Sequence, residues 1–341
     1  MFALENRTGF PGLLLGAQEA SGRFVVVVIV KATYVLDDHN RLVPARDQVP
    51  ITTSDEYRGE PGASSLLQAS DLALFKASTD IVLNGSAHAP AGTQVQRMQV
   101  ELAVGPVRKQ LLVSGDRVWT HQLGRLVPSE TAWFTRMPLV YERAFGGRQA
   151  QDWEDRNPVG VGFRTSPPDS GAPLPNIEDP ASPCAEWSDR PDPAGLGFLA
   201  ADWTPRRQLA GTYDAHWQEH QFPLLPLDFD DRHFQSAPPD LRCSPHLEGD
   251  EQVGLAGVCP DGPLRFALPG NSIALAVQFR TGKPHRRLAA LDTLTLWPEH
   301  RAVTIVWRHR IACPRKILDV EEVTAFNLKV STLRRLSHAP A

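Results

Sequence analysis

Fifteen of the chain's 30 prolines fall between Pro158 and Pro245. Proline has no backbone N–H to donate and a fixed φ, so it breaks helices and is kept out of central strands. The middle of the chain is therefore expected to be neither helical nor sheet-forming. Nearly the same region holds Trp153, Trp187, Trp203 and Trp217, half of the 8 tryptophans. A disordered proline-rich linker is poor in aromatics because it has no core to enter. Residues 137–250 consequently read as long ordered coil packed on a scaffold, the kind of segment in which function concentrates.

The flanking thirds read as β. RFVVVVIVKATYVL (23–36) is β-branched and aromatic throughout, as in a central strand covered on both faces. Its apolar run, residues 24–30, is far shorter than the roughly 20 residues of a membrane helix. DIVLNGSAHA (80–89) alternates Ile81, Leu83, Gly85 and Ala87 like a half-buried strand, and VQRMQVELAVG (95–105) alternates Met98, Val100, Leu102 and Val104. After the coil, SIALAVQF (272–279), LAALDTLTLW (288–297) and AVTIVWR (302–308) form two hairpins through Thr281-Gly282-Lys283 and Pro298-Glu299-His300. VEEVTAFNLKVSTLRRL (320–336) spaces Val323, Phe326, Val330 and Leu333 by three and four, which predicts an amphipathic helix, although its first half also suits a strand. The fold class is mainly β with little helix. Two sandwich or barrel-like regions, 1–136 and 251–341, flank the Pro/Trp-rich coil of 137–250, and the whole is readable as one continuous domain.

A net charge of −4, from 35 basic and 39 acidic residues, offers nothing to attract nucleic acid or an anionic membrane. The first residues, MFALENRTGFPGLLLG, lack the basic start and cleavage site of a signal peptide. Cys184, Cys243, Cys259 and Cys313 stand 59, 16 and 54 apart with no C-x-x-C, which points to reduced thiols and a cytoplasmic setting.

Chemistry is sparsely signalled. His216-Trp217-Gln218-Glu219-His220 fits the H-x-x-E-H pattern of zinc peptidases, in which two histidines hold zinc and the glutamate activates water. Pro223 follows within three residues and no third ligand is evident downstream, so a capped surface turn is the better reading and a zinc hydrolase the alternative. Asp228-Phe229-Asp230 resembles a metal-holding D-x-D pair, but no strand–glycine–helix pattern precedes it; aspartates setting a turn explain it. No catalytic set and no cofactor is expected. A carbohydrate-binding β module is a further alternative, because exposed tryptophans stack on sugars.

The coil alternates arginine and carboxylate with aromatic side chains, a mixture suited to locking carboxylates and loop carbonyls or to supplying interface hot spots. Arg143, Phe145, Asp189, Arg190, Trp203, Arg206, Tyr213, Asp214, Asp228, Asp230 and Arg232 are the candidates for gripping a partner or bracing the loops.

MPLVYERAFGG (137–147), NPVGVGF (157–163), LPNIEDP (174–180), DRPDPAGLGF (189–198), WTPRRQLAGTYD (203–214) and PLLPLDFDDRHFQSAPPDL (223–241) occur in order along the coil, after VVVIVKATYVL (26–36), SSLLQASDLALFKASTDIVLNGSAHAPAG (64–92) and GDRVW (115–119). In these stretches the chain resembles a large bacterial family of domains of unknown function, number twenty-one sixty-nine, whose genes lie beside those of type VI secretion spikes and toxins. The resemblance implies a non-enzymatic adaptor or chaperone that binds a toxin effector and loads it onto the spike, through a tip protein of the PAAR type. It supplies no catalytic residues.

Overall fold

The computed structural model describes residues 2–337. The principal strands of the first third are β1 (Ala3–Arg7), β2 (Gly12–Gln18), β3 (Phe24–Leu36), β4 (Thr79–Leu83), β5 (Arg97–Val104) and β6 (Val107–Ser114). The coil contributes the two-residue strand β7 (Ile177–Glu178) and the short helix α1 (Ala215–His220). The last third adds β8 (Gln252–Ala256), β9 (Leu264–Ala267), β10 (Asn271–Phe279), β11 (His285–Trp297), β12 (Ala302–Ala312), β13 (Val320–Lys329) and helix α2 (Val330–Ser337).

These strands build two sheets. The larger has ten strands and runs β1-β13-β10-β11-β12-β3-β2, with β4 lying parallel beside the second half of β11. It curls until β1 and β2 approach each other, giving a nearly closed barrel-like sheet. Asn6 sits at the seam: its Nδ2 donates to Phe10 O at 2.7 Å and its Oδ1 accepts from the Thr8 N–H and hydroxyl. The smaller sheet runs β7-β6-β5-β8-β9. Each sheet takes strands from both ends of the chain, since β3 pairs with β12, β1 with β13 and β5 with β8.

The reason lies in burial. Val26, Val28, Val30, Ala32 and Tyr34 point to one side of β3 and join a core shared with Leu102, Val113, Leu255 and Phe266 of the smaller sheet. The other side of β3, with Val27 and Ile29, is covered by the segment running from Ile51 to Leu74. A strand buried on both faces needs partners at both edges: β12 runs beside Val25–Val35, and β2 beside Phe24–Val30. The covering segment is held by charge: Lys31 Nζ reaches Asp71 Oδ2 at 2.9 Å, and Arg308 Nη1 donates to the carbonyls of Asp71 and Ala73 at 2.7 Å each.

Two local expectations are corrected. Residues 320–329 are a strand, with helix only from Val330, because β10 and β1 flank the segment and supply from both sides the hydrogen bonds a helix would make internally. β4 is buried at all five positions rather than on alternate ones, since β11 lies on one edge, Arg242–Cys243 on the other, and cores on both faces.

The coil is ordered and packed as its composition predicts. Tyr141, Ile177, Leu196, Phe198, Trp203 and Leu241 all enter the principal core. Asp80 on β4 fastens it: the carboxylate accepts from Ser236 N at 2.7 Å, Gln235 Nε2 at 2.6 Å and Lys76 Nζ at 2.8 Å. AFGG and NPVGVGF also acquire a reason. Asn157 Nδ2 donates to the carbonyls of Tyr141 and Phe145, and a Cβ on Gly146, at φ +148°, would lie 2.2 Å from Asn157 O. Only glycine fits there.

Candidate functional site

Two features of the coil stand out as places where another molecule could bind. The first is a braced loop spanning 209–232. Its stem is closed by Asp230 N donating to Leu209 O at 3.0 Å and by Asp228, which accepts from Thr212 N at 3.0 Å and Thr212 Oγ1 at 2.7 Å. Those bonds hold the Asp228 carboxyl below the usual carboxylate range. Gly211 has φ +79°, and a Cβ there would come within 2.8 Å of Pro226 Cβ. At the apex Asp214 caps α1 by accepting from Trp217 N at 2.8 Å, Trp217 Nε1 donates to Leu224 O, and Gln221 Nε2 bridges to Ala20 O and Leu225 O. Tyr213, Trp217 and Phe222 meet edge to face, with centroids 4.8 and 5.7 Å apart. Tyr213 is 53%, Phe222 66% and Leu227 76% exposed. Exposed apolar side chains on a pinned loop are the type of patch that suits a contact surface.

Arg206 supports this loop from below. It is buried and donates to Leu199 O at 2.6 Å and His233 O at 2.9 Å, while His233 Nδ1 faces Arg206 O at 2.8 Å. Burial pushes the His233 imidazole below its ordinary value, and the nearby Arg206 guanidinium adds to this against the hydrogen bond to Arg206 O. Trp203 is buried with its ring edge-on to Tyr141 at 5.5 Å.

The candidate residues thus divide. Tyr213, Asp214, Asp228, Asp230 and Arg232 come together in the loop, with Trp203 and Arg206 beneath. Arg143, reaching Asp116 and Asn176, belongs to a separate cluster; Phe145 is buried; Asp189 accepts from Ala185 N and Glu186 N; Arg190 lies over the Phe163 ring at 5.1 Å. These last four brace turns. The expected Arg-carboxylate pairing is found at Arg143–Asp116 and at Arg232–Asp230, whereas Arg190 and Arg206 hold carbonyls. Glu142 engages neither: it accepts from the N–H and hydroxyl of buried Ser65.

His216, Glu219 and His220 lie exposed on the six-residue α1 at the loop apex, the imidazoles stacked at 4.4 Å. Among the described residues no group of three His, Cys, Asp or Glu side chains is placed to hold a metal ion. Asp230 sets its own turn by accepting from Arg232 N, as a turn aspartate should, but Asp228 reaches 16 residues back. Trp153 is half exposed, its indole N–H held by Asp155 and the Arg148 guanidinium 6.0 Å from its ring. All four cysteines are free thiols, Cys259 alone half-buried.

The second feature escaped the sequence reading. A cleft of about 1260 Å³ opens between the outer face and edge of the smaller sheet and the proline-rich coil, walled by Asp179-Pro180-Ala181, Asp192-Pro193, Thr204-Pro205 and Pro238-Pro239-Asp240. Its floor carries small residues, Ala103, Gly254 and Ala256, beside Arg108, Gln110 and Glu101. The signal available was the small side chain recurring at outward positions of the strands, legible only once the register is known.

The chain matches the family described as uncharacterized protein conserved in bacteria (DUF2169) over residues 21–308. It belongs to that family. No curated protein and no solved structure is significantly similar to it. Within the described residues no helix of this family member is long and apolar enough to cross a membrane.

Proposed function

We propose that this chain is a non-enzymatic adaptor, or holding chaperone, that binds a toxin effector and helps load it onto a type VI secretion spike through a tip protein of the PAAR type. The observation that carries the reading is the braced apex of residues 213–227, where Tyr213, Phe222 and Leu227 stand exposed on a loop fixed at its stem, its helix cap and its glycine. Aromatic side chains of this kind supply the largest share of binding energy at protein interfaces. Because the loop is already ordered by Asp228, Asp214 and Gln221, a partner need not supply the ordering free energy. Arg232, paired with Asp230 at the edge of the cluster, fits a polar rim.

The test is co-expression of the full chain with the toxin and spike-tip products of the genes adjoining its own, followed by calorimetric titration. Phe222→Asp combined with Leu227→Asp is expected to weaken capture by roughly 30-fold or more, the effect of losing one strong hot spot, with the melting temperature unchanged. Undiminished capture by the double variant, or no capture by the wild-type chain, refutes the reading.

A further inference from the structure

We propose that the free edge of β6 receives an extended, acidic segment of a partner protein as an added strand. This deepens the adaptor reading by assigning it a second contact, the cleft. β6 pairs with β5 along its whole length, but with β7 only at Leu112 and Val113. β7 stops because Glu178 is followed by Asp179 and Pro180, and proline cannot donate to a ladder. Among the described residues, therefore, no strand lies beside the outer edge of β6 from Val107 to Leu111.

The register identifies the unpaired groups. In an antiparallel ladder alternate residues direct N–H and C=O to opposite edges. Ser114 N donates outward to Asn176 O at 2.8 Å, and Leu112 faces Glu178, so the outward set on β6 is the even-numbered one. Gln110 and Arg108 continue it. Among the described residues the backbone N–H and C=O of neither makes a hydrogen bond, and both residues line the cleft. Exposed edge groups of this kind are a template for another strand, and natural edges are usually covered or interrupted. This one instead opens into a volume walled by four proline-containing segments. Rigid walls that cannot themselves pair with the edge keep it available.

Charge selects the occupant. Two of the cleft's carboxylates are paired with cations, Asp240 with Lys109 at 2.8 Å and Asp192 with Arg156 at 2.5 Å, while Glu101 and Asp179 accept from the neutral Gln110 amide and Ala181 N, each at 2.8 Å. Among the described residues Arg108 donates to the carbonyls of Gly105 and Val107 alone, and Arg265, in the same cross-strand row through Ala103 and Gly254, has no carboxylate partner. Both charges in that row are positive, and a carboxylate on an added strand would stand directly across from Arg108 at its open end.

The probe is a synthetic peptide of about ten residues, long enough to span a strand, alternating valine and glutamate, with a valine–lysine peptide as control. Amide hydrogen exchange resolved by residue is expected to slow at Arg108 and Gln110 on adding the acidic peptide. Exchange at Lys109 and Leu111, whose N–H groups already face β5, stays constant. Gln110→Pro removes one outward donor and Arg108→Glu reverses the charge; each is expected to weaken peptide binding roughly ten-fold, as loss of a charged or backbone hydrogen bond would. Binding without protection of those two amides, binding undiminished in Gln110→Pro with Arg108→Glu, or absence of binding overturns the proposal. So does a dimer that Gln110→Pro converts to monomer, which would assign the edge to a second copy. Capture of the toxin or tip protein with Arg108 and Gln110 amides unprotected would sink strand addition alone and leave the adaptor reading standing.

Discussion

Replacing Asp80 by Asn keeps the shape of the side chain and removes its charge, leaving the Lys76 ammonium buried without its counter-ion. The Lys76–Asp80 pair is almost wholly shielded from water, and Asp80 also receives the Ser236 N–H and the Gln235 amide that fasten the coil to β4. Breaking one side of such a pair costs about 3–5 kcal/mol, because the other charge remains desolvated. With an unfolding entropy near 2.1 cal/mol/K per residue, about 0.7 kcal/mol/K for a chain of this size, the melting temperature should fall by roughly 4–7 °C. Calorimetry and urea titration at pH 7 read both quantities. Lys76→Met combined with Asp80→Asn removes both charges while keeping an acceptor for the coil, and is expected to recover more than half of the loss. The pair also has a pH signature. Burial pushes the Asp80 carboxyl up, but Lys76, the hydrogen bonds it receives and the more distant Arg242 outweigh that, and the net direction is down. A carboxyl lowered in the fold stabilises fully above its unfolded value of about 4 and loses that contribution as pH falls through the lower folded value. The wild type should therefore lose stability below about pH 4 more steeply than Asp80→Asn. An Asp80→Asn variant within about 1 kcal/mol of wild type, or a double variant no better than the single, would refute the reasoning.

Gly211→Ala should destabilise the 209–232 loop by about 1–2 kcal/mol, from the left-handed backbone alone, and make residues 213–227 the first site of proteolytic cleavage; unchanged cleavage would show that the loop does not need that conformation. At alkaline pH, burial raises Tyr34 to about 12 despite the Asn271 amide on its hydroxyl, and raises Tyr141 and Tyr57 as well. Because the fold favours their neutral forms, their contribution is intact below the unfolded value of about 10 and declines as pH rises beyond it. Absorbance titration should show these tyrosines ionising together with loss of the near-ultraviolet dichroism, and ionisation near pH 10 with the dichroism intact would contradict the burial.

The strands were legible where one property dominated. The β-branched run of β3 and the alternation of β5 and β10 each match a paired strand. The ordered coil was legible for the same kind of reason, since tryptophans among prolines need a core, and Trp203 enters it. What periodicity does not carry is which strand lies beside which. The segment Val320–Lys329 could have been helix until β1 and β10 were placed at its edges. The same holds for the sites. Asp228 read as a local turn residue because nothing in the sequence says that Thr212 lies across the loop from it. The cleft was invisible because Arg108 and Gln110 become edge residues only through the early departure of β7 at Pro180.

The joining of β3 to β12 has a bearing on biosynthesis. Thr33 lies opposite Thr304, so the apolar run that begins at Phe24 leaves the ribosome long before its neighbour is made. At about 5–20 residues per second the wait is roughly 15–50 s. During that interval the uncharged stretch FVVVVIV has β2 along one edge only, and a fragment ending before residue 302 would leave its other edge open. A protein proposed to shelter another during delivery is, on this connectivity, a nascent chain that needs sheltering of its own.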